Sequence, residues 1–595
     1  MNGIIFLDDH CNEQANMSAE KKHSIRHMEF VESDNSHNIL PASIQVNEVQ
    51  LSQVVVLQQR GEISTAIALC KKILAGRPND AEAWECLGTL ELKKMEYTRA
   101  IDTFDRALAI APDKSILHAR KAFALQNIRH YKEALIHYDH ALRLNPDAVE
   151  TWFNRGLILQ TILRNEEALS SYDRALAMKP DYVEAYSNRG NVLYALGRYE
   201  QALASFDQAL TIRPHSSTVR SNRGGVLLKL NRYAEALESY DCAISIKPDY
   251  AEAIANRGNV LMNIGRIGDA LAAYAHTLAI DPTHAGANFN EALCYLLLGN
   301  FQPGWRKFEW RWHTSQLKRA KRNFSRPIWL GKESLKGKII LLHAEQGLGD
   351  TIQFSRYINW TASLGATVFL EVQRDLKPLF IDFPGTSKIF VRGDPLPYFD
   401  FHCPLMSLPL VHETTNENIP AVCSYLFNDK VRANSWKKRL GNKKNPRIGL
   451  VWSGSSGHVN DHNRSIPLRQ FLNAIPDNVD MYCLQKEVRS YDKEILALRK
   501  DIQFFDDQIV DFLDTVALIE SMDIIVTVDT AVAHLSATMG KPVWILLSHA
   551  PDWRWLMDRS DSLWYPTAKL YRQKLDESWD VVIKQVAQHL TELFS

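Results

Sequence analysis

Small residues recur through the first half of the chain at a fixed spacing of 34 residues. Alanine occupies one register, at Ala66, Ala100, Ala134, Ala168, Ala202, Ala236 and Ala270. Proline occupies a second, at Pro78, Pro112, Pro146, Pro180, Pro214, Pro248 and Pro282. A third holds Gly88, Gly156, Gly190, Gly224 and Gly258, with Ala122 and Ala292 in its gaps. Three independent registers with one period predict a repeated structural unit.

The residue types in these registers predict a pair of antiparallel helices in each unit. Glycine or alanine in the first helix lets the second approach closely, and the alanine register marks the crossing. Proline ends the second helix because it lacks an amide donor and clashes with the preceding turn. Aromatic residues are expected to fill the space between neighbouring units, at Phe104, Tyr138, Tyr172, Phe206 and Tyr240.

The period and the pattern resemble the tetratricopeptide repeat, whose units stack because one pair cannot bury its own apolar face. The resemblance implies an all-α solenoid over residues 47–300, with seven full repeats from about Asn47 to His284 and a partial eighth. Residues 1–46 are expected to be disordered. The aromatic-rich segment Gly304–Trp312 (GWRKFEWRW) is expected to form a cap and a hinge within a connector over residues 301–335.

The pattern changes after Lys336 to short apolar runs separated by helical stretches. Lys338–Ala344 and Thr367–Val372 flank a glycine turn and a helix, which predicts a βαβ unit. A comparable series restarts at Arg447 and contains IGLVWSG, MYCLQ, DIIVTV and VWILL. The two series predict an α/β domain of two Rossmann-like lobes around a cleft, over residues 336–440 and 441–595. A last helix, about Ser578–Phe594, is expected to pack across the lobes.

Composition narrows the class of protein. The 595 residues include 69 Lys plus Arg and 69 Asp plus Glu, so the zero net charge gives no electrostatic case for nucleic acid or an acidic membrane surface. No signal peptide and no run of 18 apolar residues is evident. The eight scattered cysteines form no CxxC pair, so reduced thiols and a cytoplasmic location are expected. Clusters with metal-ligand spacing are absent from the sequence, and no metal or cofactor is expected.

Three motifs in the α/β region resemble the ADP-heptose:lipopolysaccharide heptosyltransferase family. Gly347–Tyr357 (GLGDTIQFSRY) resembles its glycine–aspartate motif, and Asp529–Leu547 (beginning DTAVAH) resembles its Asp-Thr-x-x-x-His signature. Val451–Leu468 (beginning VWSGSSG) matches the nucleotide-binding segment between them. The joining of repeats to a transferase also resembles the O-linked N-acetylglucosaminyltransferase family. These resemblances imply a metal-independent, inverting glycosyltransferase of GT-B fold that uses a nucleotide-sugar donor.

The first motif supplies the candidate catalytic residue. Gly347 and Gly349 are expected to form a tight turn at the C-terminal end of a strand, where open α/β sheets bind ligands. The resemblance implies that Asp350 is the general base for the acceptor hydroxyl. The alternative is that Asp350 only caps the helix that follows.

The second motif supplies a candidate diphosphate site. Ser453 and Gly454 are expected to offer backbone amides and a hydroxyl to the phosphates. The resemblance implies that Arg464 is the phosphate-binding cation, which would balance the charge of the leaving group without a metal. Lys486, which follows another strand with Gln485, is expected to add positive charge near the pyrophosphate.

The third motif completes the predicted donor site. The resemblance implies that Asp529 contacts hydroxyl groups of the donor sugar or ribose. Thr530 begins a helix whose first amides can receive phosphate. His534, one helical turn later, is expected to donate to the donor, with a buried structural histidine as the alternative.

A column of amides also repeats every 34 residues, at Asn154, Asn188, Asn222, Asn256 and Asn290. Its place on the first helices resembles the asparagine ladder of the O-linked N-acetylglucosaminyltransferase family, which grips an extended peptide. The alternative is that the amides space neighbouring helices, or that duplication alone produced the column, since an arginine column runs beside it. The acceptor is expected to be a protein or a glycan. The sequence leaves the nucleotide open between UDP, GDP and ADP. The competing function is a non-catalytic scaffold with a vestigial transferase domain.

Overall fold

The computed structural model describes residues 42–420, 429–457, 460–505 and 508–595. The expectations for residues 1–41 and for Cys11 and Cys423 lie outside these residues. The chain divides into two compact units, one ending at Ala253 and the other beginning at Ile254. The six cysteines that the structure describes are all free thiols. No described helix has the length and apolar character needed to cross a bilayer.

The first unit is built from pairs of helices joined by short turns. Its helices are Ala42–Gln59, Ile63–Gly76, Ala81–Lys93, Tyr97–Ile110, Ser115–Asn127, Tyr131–Leu144, Val149–Thr161, Asn165–Met178, Val183–Ala195, Tyr199–Ile212, Ser217–Lys229 and Tyr233–Ile246. The predicted helix pairs are confirmed. The first helix begins at Ala42, inside the segment that the sequence predicts to be disordered.

The glycine register and the aromatic register meet within each repeat. A Cβ atom on Gly156 would lie 2.6 Å from the Tyr172 ring, and one on Gly190 would lie 2.7 Å from the Phe206 ring. Real Cβ atoms do not approach this closely, so the ring occupies the space that a side chain would need. The prediction of a close helix approach at glycine is confirmed. The aromatic residues, however, cover the glycine of their own repeat, whereas the sequence analysis assigns them to the space between repeats.

A fourth register marks the turn between the two helices of each repeat. Every residue in it has a positive φ angle: Gly61, Met95, Arg129, Leu163, Gly197, Asn231, Gly265 and Gly299. Glycine tolerates this conformation, whereas other residues pay a steric cost. Because half of the positions are not glycine, the residue types alone do not reveal the register.

The second unit begins with the end of the repeat array. Its helices Ile267–Ile280, Ala285–Leu297 and Phe301–Phe308 continue the pattern, and the last is the shortened second helix of the partial eighth repeat. The segment that follows does not form a hinge. Trp305 is 1% exposed, and its ring centroid lies 5.2 Å from that of Trp553. Arg311 is fully buried as well. The aromatic segment Gly304–Trp312 therefore packs into the core of the second unit, whereas much of the connector after it is exposed.

Two parallel sheets form the remainder of the second unit. The first contains β1 (Ile339–His343), β2 (Thr367–Val372), β3 (Lys388–Val391) and β4 (Phe401–Pro404), in the order β3-β2-β1-β4. The second contains β5 (Arg447–Val451), β6 (Asp480–Cys483), β7 (Ile502–Gln503), β8 (Ile524–Val528), β9 (Val543–Leu547) and β10 (Ala568–Arg572), in the order β10-β9-β8-β5-β6-β7. The six strands expected from apolar runs are present, and β3, β4, β7 and β10 are additional.

Helices flank both sheets. The longer ones are Leu348–Phe354, Ile358–Ser363, Lys430–Leu440, Ser490–Leu498, Phe512–Glu520, Ala531–Thr538 and Trp579–Phe594. Short helical turns lie at Ser315–Lys318, Lys377–Phe380, Leu408–Val411, Asp461–Arg464 and Leu468–Phe471.

Two of these helices pack differently from the sequence prediction. The last helix, Trp579–Phe594, buries Val582 and Val586 in the core cluster beside the six-stranded sheet, and does not bridge the two sheets. Helix Lys430–Leu440 was assigned to the first lobe by the boundary at residue 440. It packs on helix Phe512–Glu520 instead, where the Trp436 indole N–H donates to Asp514 over 2.9 Å.

Candidate functional site

A cavity of about 850 Å³ opens at the C-terminal ends of strands from both sheets. This position follows from the parallel strands, whose carboxyl ends and following loops meet along one edge of each sheet. Nine of the predicted site residues line the cavity: Gly347, Gly349, Asp350, Ser453, Gly454, Arg464, Lys486, Thr530 and His534. Four segments that are far apart in sequence are thereby brought to one place.

Asp350 lies in the first turn of helix Leu348–Phe354, three residues after the N-cap Gly347. One carboxylate oxygen accepts from the Gly347 N–H over 2.8 Å, and the other accepts from the Arg554 guanidinium. Burial acts to raise the pKa of Asp350, but its pKa lies below the usual value, and both partners act in that direction. The side chain is therefore an ionised carboxylate at the cavity wall and also a partner of the helix N-terminus.

Arg554 is the main residue that the sequence analysis missed. It is fully buried and also donates to Gln353 Oε1 over 2.5 Å and to Asp552 Oδ1 over 2.8 Å. Burial raises the pKa of Asp552 to about 6, while Arg554 lowers it. An arginine among tryptophans just after the buried strand β9 was the available signal, because that loop also lies at the C-terminal edge of its sheet.

Gly349 and His534 bring the first and third motifs into contact. A Cβ atom on Gly349 would lie 2.7 Å from the His534 ring. Neither Gly347 nor Gly349 has a positive φ angle, so close approach, rather than a tight turn, explains glycine at position 349. His534 is 3% exposed, contacts the Tyr565 hydroxyl over 2.9 Å, and has a pKa lowered by burial to about 4. It is a neutral imidazole that is both buried and at the cavity wall.

Asp529 lies behind the wall of the cavity. Its carboxylate is 3.9 Å from His534 Nε2, and its backbone oxygen accepts from Arg464 over 2.9 Å. The side chain is 5% exposed and is not among those that line the cavity. The structure therefore does not bring Asp529 to the position of a direct donor contact, because it follows a central strand and is covered by the helix Ala531–Thr538.

Most of the backbone amides that were expected to bind phosphate donate hydrogen bonds within the protein instead. Gln485 Oε1 accepts from the Trp452 N–H over 2.6 Å and from the Ser453 N–H over 2.9 Å. The Gly454 N–H donates to Ser465 over 3.0 Å. Gln485 thus shapes the loop after β5. The Ser453 side chain, whose hydroxyl accepts from Gln485 over 3.0 Å, and Arg464 both line the cavity beside this loop.

The two predicted cations approach the cavity from different loops. Arg464 lies directly over Gly454, where a Cβ atom would come within 2.3 Å of its guanidinium, and Asp461 lies 3.5 Å from its Nε. Lys486 is exposed and donates to the backbone oxygen of Val510 over 2.9 Å. At the third loop, Ala531 and Val532 of the helix that begins after Thr530 also line the cavity.

The two polar columns of the repeats serve contacts inside the array. In the arginine column, Arg189 donates to the Asp173 carboxylate of the preceding repeat over 2.7 Å. It also donates to the Ser205 hydroxyl of its own repeat over 2.6 Å. In the asparagine column, Asn222 donates to Asn191 over 3.0 Å and Asn290 donates to Asn259 over 2.8 Å.

Most members of the asparagine column are buried. Four members are no more than 8% exposed: Asn154, Asn188, Asn256 and Asn290. An amide that is buried and bonded to a neighbouring repeat has little capacity to grip a peptide. Asn290 meets both conditions, whereas the peptide-binding role of the other members stays a prediction.

Comparisons with known proteins identify the repeats. Two models described as "Tetratricopeptide repeat" match residues 181–249 and residues 51–115 with 256–302, and one described as "TPR repeat" matches 164–197. Protein FlbA of Caulobacter vibrioides is 24% identical over 338 residues, which are 51% of this chain and 54% of FlbA. The chain thus matches about half the length of that relative.

Solved repeat structures also resemble parts of the chain. YrrB, described as a TPR protein with an unusual peptide-binding site, is 23% identical, covering 32% of this chain and 98% of YrrB, with a TM-score of 0.30. PilW, a type IV pilus biogenesis factor, is 24% identical, covering 34% of this chain and 92% of PilW, with a TM-score of 0.31. The repeat period, the helix pairs and the matched family models together identify the chain as a tetratricopeptide-repeat protein with a C-terminal α/β domain.

Proposed function

We propose that the α/β domain is a GT-B glycosyltransferase that moves a sugar from a nucleotide-sugar donor to an acceptor recruited by the repeats. The observation that carries the proposal is the composition of the cavity. A buried, ionised carboxylate, Asp350, lines it from the first turn of the helix after β1, and two cations, Arg464 and Lys486, line it from segments that follow strands of the other sheet. A carboxylate and a phosphate-binding side on opposite sheets suit attack by an acceptor on a diphosphate-activated sugar.

The donor would bind on the side of the six-stranded sheet. Arg464 and Lys486 would balance the negative charge that develops on the departing nucleoside diphosphate, so no metal ion is required. The helix that starts after Thr530 would contribute its first amides, which favour an anion. His534 would contribute a neutral imidazole, and Asp529 would act indirectly by holding Arg464 and His534.

Asp350 would accept the proton of the acceptor hydroxyl. The acceptor oxygen then bonds to the anomeric carbon as the bond from that carbon to the diphosphate breaks, and the configuration inverts. Its lowered pKa makes Asp350 a weak base that is already ionised at neutral pH. Arg554 is a positioning residue in this scheme, because it holds one carboxylate oxygen while the side chain remains at the cavity wall.

The competing function is a scaffold in which the repeats bind a partner and the α/β domain has no activity. It is favoured by one observation: both carboxylate oxygens of Asp350 already accept hydrogen bonds within the protein. The acceptor in the proposed reaction is a protein or peptide, since repeats of this family bind such partners. A glycan or a lipid-linked saccharide is the alternative acceptor.

The deciding experiment measures binding and hydrolysis of UDP-, GDP- and ADP-sugars by the full chain. Arg464→Ala should abolish binding of the one donor that is recognised. Asp350→Asn should retain donor binding and lose turnover. Arg559→Ala, which removes a surface arginine paired with Asp561, is the matched control and should change neither. If no nucleotide sugar binds at millimolar concentration, the scaffold is the correct function.

A further inference from the structure

The zero net charge of the chain conceals one strongly basic segment. Residues 318–338 contain eight Lys or Arg and a single acid, Glu333. One of the eight, Arg322, pairs with Glu371 over 2.8 Å. The other seven are exposed and form no ion pair with any residue that the structure describes: Lys318, Arg319, Lys321, Arg326, Lys332, Lys336 and Lys338.

Some exposed arginines of the repeats are paired instead. Arg164, Arg198 and Arg232 in the repeats each pair with a glutamate at 2.6–2.7 Å. Seven exposed cations within one short segment outnumber the nearby acids Glu333 and Asp400, so the segment keeps a positive field. Such a field attracts an anionic partner at close range and weakens as salt is added.

Four cations lie along the N-terminal edge of the four-stranded sheet, and we call this group the basic edge: Arg326, Lys336, Lys338 and Lys388. Lys336 and Lys338 precede β1, and Lys388 begins β3. The Ile339 N–H and then Lys338 and Arg326 lower the pKa of the Asp400 carboxyl, which places both cations near the start of β4. The cavity lies at the opposite, C-terminal edge of the same sheet.

Exposed apolar side chains follow Arg326 along the segment beside β4, where Ile328 pairs with His402. Ile328 is 36% exposed and Leu330 is 38% exposed. Tyr398 is 58% exposed, and the Arg326 guanidinium lies 4.5 Å from the centre of its ring. Aliphatic side chains beside lysines suit the boundary between lipid headgroups and acyl chains, where the two kinds of contact reinforce each other. A nucleic acid would use the cations but gain little from Ile328 and Leu330.

We propose that the basic edge and the flanking residues Ile328, Leu330 and Tyr398 dock the protein on an anionic lipid surface. Docking through the N-terminal edge of the sheet leaves the cavity at the other edge accessible to its ligands. This role is independent of the proposed transferase activity, since it requires neither a donor nor an intact cavity.

The test is co-sedimentation of the full chain with vesicles of phosphatidylcholine, with and without phosphatidylglycerol. Binding is expected only to the anionic vesicles and should fall at high salt. Each basic residue near such a surface strengthens association about fivefold. Arg326→Gln/Lys336→Gln/Lys338→Gln should therefore weaken binding about 100-fold. The matched control Arg164→Gln/Arg198→Gln/Arg232→Gln removes the same charge and should bind like the unmodified protein.

A second variant separates a lipid surface from another polyanion. Ile328→Ser/Leu330→Ser should weaken vesicle binding while leaving any binding of single-stranded RNA unchanged. Equal loss in the control triple variant would overturn the proposal, as would a lack of binding to anionic vesicles. Vesicle binding that is insensitive to Ile328→Ser/Leu330→Ser and is displaced by RNA would assign the surface to nucleic acid instead. Thermal unfolding of every variant checks that the fold is retained.

Discussion

Replacing Arg554 by methionine tests the buried charge network beside the cavity. The guanidinium is fully buried, contacts Asp350, Asp552 and Gln353, and lies 4.5 Å from the centre of the Trp553 ring. Arg554→Met fills much of the volume but leaves two buried carboxylates without their cation. Removing one partner of a buried ion pair costs about 3–5 kcal/mol. We expect a loss of that size in the free energy of unfolding of the second unit at pH 8.

The loss should depend on pH with a definite sign. Without Arg554, burial holds the carboxyl pKa values of the folded protein above those of the unfolded chain. The folded state then binds more protons, so stability is retained below the unfolded pKa and falls as the pH rises through the folded pKa. Asp552 already has a folded pKa of about 6 in the unmodified protein. The deficit of Arg554→Met should therefore be smaller at pH 5 than at pH 8.

Urea unfolding followed by tryptophan fluorescence measures this effect, because Trp553, Trp555 and Trp564 are buried beside the network. Arg559→Met is the control: its arginine pairs with Asp561 at the surface, where such pairs contribute at most about 1 kcal/mol. A deficit below about 1 kcal/mol for Arg554→Met would refute the reasoning. So would a deficit that is equal at the two pH values or larger at pH 5.

Three further substitutions test the packing, each measured by urea unfolding. Gly190→Ala places a methyl group against the Phe206 ring and should lower the free energy of unfolding by about 1–3 kcal/mol. The control Gly76→Ala, whose methyl group would meet no atom within 4 Å, should cost less than about 1 kcal/mol. Equal effects of the two substitutions would contradict the close-approach argument. Leu163→Gly relieves a positive φ angle of 63° at an exposed turn and should stabilise by up to about 1 kcal/mol; a loss would show that no strain is stored there. Trp305→Ala should destabilise the second unit by about 3–5 kcal/mol, and a change confined to the first unit would contradict its place in that core.

Features that depend on interactions within one helix pair or one strand could be predicted from the sequence. The repeat period could be recognised because glycine, alanine and proline are each required by packing or helix ends within one helix pair. At Gly190, for example, the ring of Phe206 leaves no room for a side chain. The strands β1, β2, β5, β6, β8 and β9 were readable because a buried parallel strand requires a continuous apolar run. Strand β7 has only two residues, and β10 (AKLYR) is interrupted by charged residues, so neither forms a continuous apolar run.

The repeats, the two parallel sheets and the meeting of three motifs at one cavity could be predicted from the sequence, since loops after parallel strands must meet at one edge. The partner that each polar group takes could be read only from the folded chain. Arg554 reaches Asp350 across 204 positions, and Gln485 takes the amides of Trp452 and Ser453 across more than 30. Such pairings depend on distance and burial in the folded chain, and they leave no periodicity in the sequence from which they could be predicted.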